Sequence, residues 1–130
     1  MPDEGIFHVG ARGAGRIPIF LDDDDRHFFL LLLGVSVAKY EWRCYAFCLM
    51  RNHYHLVVEA RREQLSDGMR LLNGDHAQTF NLRHDRWGHL FGDRFWSRAI
   101  TTDAQLVATV AYVLDNPVRA GLCEAWTDWP

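Results

Sequence analysis

The 130-residue chain is poor in cysteine and lacks both a long apolar run and any excess of positive charge. Its three cysteines, at 44, 48 and 123, form no CxxC pair and cannot all be joined internally, which argues against a disulfide scaffold or a cysteine-rich zinc module and fits a reducing compartment. No apolar stretch approaches the roughly 18 residues of a membrane span. The opening Met1-Pro2-Asp3-Glu4 is acidic where a secretory leader is basic, so a soluble cytoplasmic protein with no membrane partner is expected. Fourteen Lys and Arg against seventeen Asp and Glu leave a net charge of −3, and whole-chain attraction to a polyanion is therefore missing. Any nucleic-acid contact has to come from a local basic patch. What is present, 48% hydrophobic and 24% charged residues without repeat or linker, fits one compact domain over 1–130.

Periodicity divides the chain into seven elements. Ile6 to Arg12 alternates, with Phe7 and Val9 on one side and His8 on the other, and a glycine-bearing loop closed by Pro18 follows. The GARGAG run in that loop lacks the Lys-Ser/Thr ending of a phosphate-cradling loop. Asp22 to Asp25 precede an apolar stretch to about Lys39 and read as a solvated helix start that offsets the helix dipole, because consecutive helical residues diverge too far to converge on one ion. Glu41 to Met50 and His53 to Glu59 read as strands joined by a tight turn. Leu65, Met69, Leu72, His76 and Phe80 keep the helical period to about Arg83, weakened at Gly68 and Gly74. Leu90 to Ile100 reads as a strand and Asp103 to about Asn116 as a helix, which Pro117 interrupts or restarts. The order predicts an α+β fold: a ferredoxin-like split βαβ sandwich, βαββαβ, with an added C-terminal helix able to approach the other sheet face. Trp126 and Trp129 are expected to pack the tail back on the body.

Two pairs of residues could carry chemistry. His53 and His55 leave the same face of a strand, and neighbouring imidazoles can bind a divalent ion if a third ligand arrives. Two hydrogen-bonded structural histidines would have the same spacing. Tyr112 and Asn116, four residues apart, share a helix face; as residues alone they equally describe a packed tyrosine and a capping asparagine.

The segments Leu49-Met50-Arg51-Asn52-His53-Tyr54-His55-Leu56-Val57-Val58-Glu59 and Tyr112-Val113-Leu114-Asp115-Asn116-Pro117-Val118-Arg119-Ala120-Gly121-Leu122 strongly resemble the single-tyrosine, IS200-like transposases of the HUH class. Within that class they are most similar to the relatives associated with repetitive extragenic palindromes. Phe7-His8-Val9, Arg12-Gly13, Ile19-Phe20, Gly88-His89-Leu90-Phe91 and Arg94-Phe95 extend the likeness over nearly the whole chain. Arg51 stands where these relatives commonly have proline.

The resemblance implies cleavage and rejoining of single-stranded DNA at a hairpin-flanked site. It makes His53 and His55 ligands of Mg2+ or Mn2+, Asn116 a third ligand, and Tyr112 the nucleophile that leaves a 5′-phosphotyrosine and a free 3′-hydroxyl. Arg12 and Arg16, Arg61 and Arg62, and Arg83, Arg86, Arg94 and Arg98 are the candidate DNA contacts, with Trp87, Phe91 and Trp96 among them. A catalytically inactive, domesticated hairpin-DNA-binding protein is the alternative, and a metal-binding protein without nucleic acid is a third reading. The pair could be completed in one chain or across a homodimer.

Overall fold

A computed structural model describes residues 4–119, the side chains as far as Asp115. Four strands, β1 (Glu4–Arg12), β2 (Arg43–Leu49), β3 (His53–Arg61) and β4 (Trp96–Ile100), form one antiparallel sheet in the order β2-β3-β1-β4. Helices α1 (Asp23–Lys39), α2 (Arg62–Arg83) and α3 (Asp103–Arg119) complete the βαββαβα order expected from the sequence.

The two-residue alternation of the strands sorts their side chains onto two faces. Phe7 and Val9 of β1 and Tyr54, Leu56 and Val58 of β3 meet Phe29, Leu32 and Leu33 of α1 and Leu65, Met69, Leu72 and Phe80 of α2 in the larger core. The opposite face carries a smaller cluster of Ala46, Cys48, Met50, Val57 and Val113, flanked by Leu106, Val110 and Leu114 of α3. The added helix thus lies across the second face, as the element order allowed. Between Cys44 and Ala46 the β2 register slips by a bulge, so that Cys44 packs on the larger core and Ala46 on the smaller.

Some boundaries differ from the periodicity. The last strand begins at Trp96 rather than Leu90, because Leu90 is buried in the larger core and Gly92 N–H bonds Arg12 O at 3.1 Å instead of continuing the ladder. α2 starts directly at Arg62, and α3 runs through Pro117 to Arg119. The acidic helix start is not wholly solvated. Asp22 caps α1 by accepting from Asp25 N–H, but Asp25 is buried and accepts from Leu21 N–H, His84 and Arg83. Trp126 and Trp129 lie outside the described residues.

Candidate active site

The face covered by α3 is also where the histidines emerge. In β3, His53 and His55 alternate with core residues Tyr54 and Leu56, and the register sets Gly10 of β1 opposite His55 and Arg12 opposite His53. On its other side Gly10 faces Trp96 of β4, and His8 pairs with Arg98. A Cβ on Gly10 would run into the backbone carbonyl oxygen of Tyr54 and lie 2.6 Å from the Trp96 ring, so the missing side chain lets β3 approach closely and the indole lean over β1 towards the imidazoles. The ring centroid of Trp96 lies 4.7 Å from that of His8 and 5.7 Å from that of His55.

His8 joins the sequence pair as a third imidazole. Its Nε2 is 3.0 Å from His55 Nδ1, and the His53 and His55 rings are 5.1 Å apart. His53 Nδ1 sits 2.7 Å from Asn52 Oδ1. The link before His53 is tied down by the backbone: Gly13 N–H bonds Asn52 O at 2.8 Å, and Ile19 N–H bonds Arg51 O at 2.8 Å. Arg51 takes part there through its carbonyl, a role that proline fills as well.

Burial disfavours the charged form of all three imidazoles. It is the main cause of the lowered pKa of His8, helped by Arg98, and of His53, helped by Arg12. In His55 burial, reinforced by His53, His8 and Arg12, pushes the pKa down to about 3. Neutral imidazoles with available lone pairs are what a divalent ion needs, and the donor chemistry therefore fits one.

Tyr112 is brought to this cluster by the packing of its neighbour. Val113 is fully buried in the smaller core, which fixes α3 over the sheet and leaves Tyr112 at the rim, 40% exposed. Its ring centroid lies 5.9 Å from that of His55 and 6.2 Å from that of His8. Tyr112, His8, His55, Trp96 and Arg98 line a cavity of about 450 Å³ that Ala108 and Thr109 of α3 help to close. The backbone of Asn116 follows Tyr112 by about one turn of α3.

The eight arginines separate. Arg12, Arg16 and Arg94 line a cleft of about 390 Å³ with Trp96 and one acidic residue, Asp93, walled by Gly13, Gly15 and Gly92. Arg98 stands over the Trp96 ring at 5.9 Å. Arg61 pairs with Glu4 at the opposite end of β3 from His53, and Arg62 covers the Phe7 ring on the helical face. Arg83 is ion-paired to Asp22 at 3.1 Å and to Asp25, and Arg86 bonds Asn81 Oδ1 at 3.0 Å and His89 O at 3.2 Å. The structure thus gathers four of the eight on the histidine side.

Sequence reasoning did not select His8 or Gly10 as site residues. Their signal was present only as a histidine and a glycine on the outward register of β1, and it becomes readable once β1 is known to pair with β3. A separate grouping able to ligate a metal, Asp22, Asp25 and His84, lies between the start of α1 and the end of α2, where Arg83 already supplies positive charge.

A Haemophilus influenzae protein described as a REP-associated tyrosine transposase is 24% identical over 106 residues, 73% of this chain; the chain spans 60% of that relative's length. A structure of a REP-associated tyrosine transposase bound to a REP hairpin superposes with a TM-score of 0.78 at 18% identity, covering 97% of this chain and 74% of that one. A transposase structure from Deinococcus radiodurans R1 gives a TM-score of 0.59 at 15% identity, covering 89% and 92%. Residues 6–116 match the family described as "Transposase IS200 like", a span that includes the histidine strand, most of β1 and α3 as far as Asn116, and the chain belongs to that family.

Proposed function

We propose that this chain cleaves and rejoins single-stranded DNA beside a hairpin, with Tyr112 as the nucleophile. The carrying observation is the approach of the Tyr112 ring to within 5.9 Å of His55, at a cavity that Arg98 also lines. The phenol oxygen attacks a phosphodiester, the new P–O bond forms as the P–O3′ bond breaks, and the phenol proton is lost while the 3′-oxygen gains one. The products are a 5′-phosphotyrosine and a free 3′-hydroxyl. Attack by a 3′-hydroxyl on that ester reverses the exchange and restores the phenol, so the energy of the broken bond is retained and no nucleotide hydrolysis is needed.

His53, His55 and Asn116 would hold the divalent ion. When bound, such an ion offsets charge on the non-bridging phosphate oxygens and on the leaving 3′-oxygen. Nitrogen donors suit manganese better than the oxygen-preferring magnesium. Arg12, Arg16 and Arg94 are the proposed phosphate contacts leading into the site, with Trp96 as a stacking face for an unpaired base.

Incubation with Mn2+ and a randomised library of hairpin-bearing single strands is expected to give a covalent protein–DNA adduct on denaturing gels, absent in Tyr112→Phe. No adduct across the library, or an adduct that survives in Tyr112→Phe, overturns the reading. His55 and Tyr112 meet within one chain, so an equimolar mixture of Tyr112→Phe and His55→Ala proteins is expected to form no adduct. Restored activity in the mixture would show a site shared between two copies.

A further inference from the structure

His8 has no part in the chemistry above, yet its ring is in direct contact with His55. A neutral imidazole carries one N–H and one lone pair, so the 3.0 Å contact between His8 Nε2 and His55 Nδ1 is a hydrogen bond in only one of two senses. If His8 donates, the remaining proton of His55 sits on Nε2 and closes that nitrogen to a metal. If His55 donates, its Nε2 is a lone pair.

His53 supplies the internal comparison. Asn52 Nδ2 donates to Arg16 O at 3.4 Å, which orients the amide and leaves Oδ1 as the atom 2.7 Å from His53 Nδ1. An amide oxygen only accepts, so His53 carries its proton on Nδ1 and presents Nε2 as a lone pair. Metal-binding histidines are generally fixed in this manner, through a bond from the ring nitrogen that does not ligate.

We infer that His8 is a positioning residue that accepts the Nδ1–H of His55, as Asn52 accepts that of His53, so that both histidines of the pair are locked in the same tautomer with Nε2 directed to a metal. This rests on the proposal that His53 and His55 hold a divalent ion. The two locks come from different places: Asn52 from the turn before β3, His8 from the neighbouring strand β1. The lock on His55 is therefore set by the β1–β3 register, in which His8 lies two residues from Gly10, the partner of His55.

The test is long-range 1H–15N correlation of the imidazoles in the metal-free protein above neutral pH, combined with Mn2+ affinity from the free-ion electron paramagnetic resonance signal. The expected spectrum shows His53 and His55 protonated on Nδ1 and His8 unprotonated on Nε2. His8→Leu is expected to let the His55 proton redistribute to Nε2 and to weaken Mn2+ binding at least tenfold. His8→Gln, whose Oε1 can take the place of Nε2, is expected to restore both. A His55 proton on Nε2 in the unsubstituted protein overturns the inference without any variant having to fold, as does unchanged Mn2+ affinity in folded His8→Leu. The predicted spectrum in a protein that does not bind Mn2+ would instead overturn the metal reading on which the inference rests. Formation of the DNA adduct by a protein whose His55 is protonated on Nε2 would overturn only the inference.

Discussion

Gly10 shows how one absent side chain can position a site. Its backbone lies between His55 and Trp96, and Gly10→Ala would push a methyl group into the Tyr54 carbonyl oxygen of β3 and into the indole. The substitution is expected to cost about 1–3 kcal/mol in urea unfolding and to reduce adduct yield by displacing Trp96. His76 makes a different demand. It is buried among Phe20, Phe29 and Phe80, its Nε2–H donates to Ile19 O at 2.8 Å, and burial lowers its pKa below the ordinary 6.5. The folded chain therefore binds this proton less readily than the unfolded chain. Its contribution to stability is complete above about pH 6.5 and is lost as pH falls through the lowered value, with a slope of up to about 1.4 kcal/mol per pH unit. His76→Gln, which keeps a donor for Ile19 O, is expected to flatten the acid side of the stability–pH curve by that one proton. At this scale His53, His55 and Tyr112 were legible as a strand pair and a helix residue in a recognisable motif. Arg83 was not legible as an ion-pair residue, since its partners Asp22 and Asp25 lie some sixty positions earlier and meet it only when α1 and α2 pack together.

At the scale of elements, α2 carries two glycines that periodicity treats alike and the structure separates. Gly68 lies under the Trp42 indole, where a Cβ would come within 2.8 Å of a ring atom, and Ser36 Oγ donates to its carbonyl at 3.4 Å. Gly74 faces open space. Gly68→Ala is expected to destabilise by about 1–3 kcal/mol through overpacking, despite the better helix propensity of alanine. Gly74→Ala is expected to stabilise by about 0.5–1 kcal/mol. Chemical denaturation of the two variants checks the opposite signs. Strand limits were the least legible feature. Leu90 and Phe91 resemble the start of β4, but they pack against the larger core from an irregular segment held to the end of β1 and the loop after it by the Gly92 N–H bond to Arg12 O, the Ala14 N–H bond to Leu90 O and the isolated Gly13–Phe91 bridge. Alternation records whether a residue is buried, not whether its backbone is paired.

Over the whole molecule, the net charge of −3 and the arginine-lined cleft are compatible, because affinity for a polyanion depends on the few charges that reach it. Binding to single-stranded DNA is expected to weaken with salt. Each of Arg12, Arg16 and Arg94 replaced by Ala should reduce the steepness of a plot of log affinity against log salt by about 0.7, while Arg62→Ala should leave it unchanged. The order of elements, and hence the fold, could be read from the sequence because each long element keeps one period. The fold also implies the β2-β3-β1-β4 sheet; the residue register between β1 and β3 was not legible, and that register is what adds His8 to the site. Among the described residues no helix is long and apolar enough to cross a membrane.

The two sides of the sheet differ greatly in thickness: two helices and most of the large side chains lie on one, and α3 alone on the other. Folding depends chiefly on the thick side and aim on the thin one. Random substitution should therefore wear the two away at different rates. Substitutions on the thin side are expected to misalign Tyr112 in a chain that still folds, and those on the thick side to abolish the shape itself.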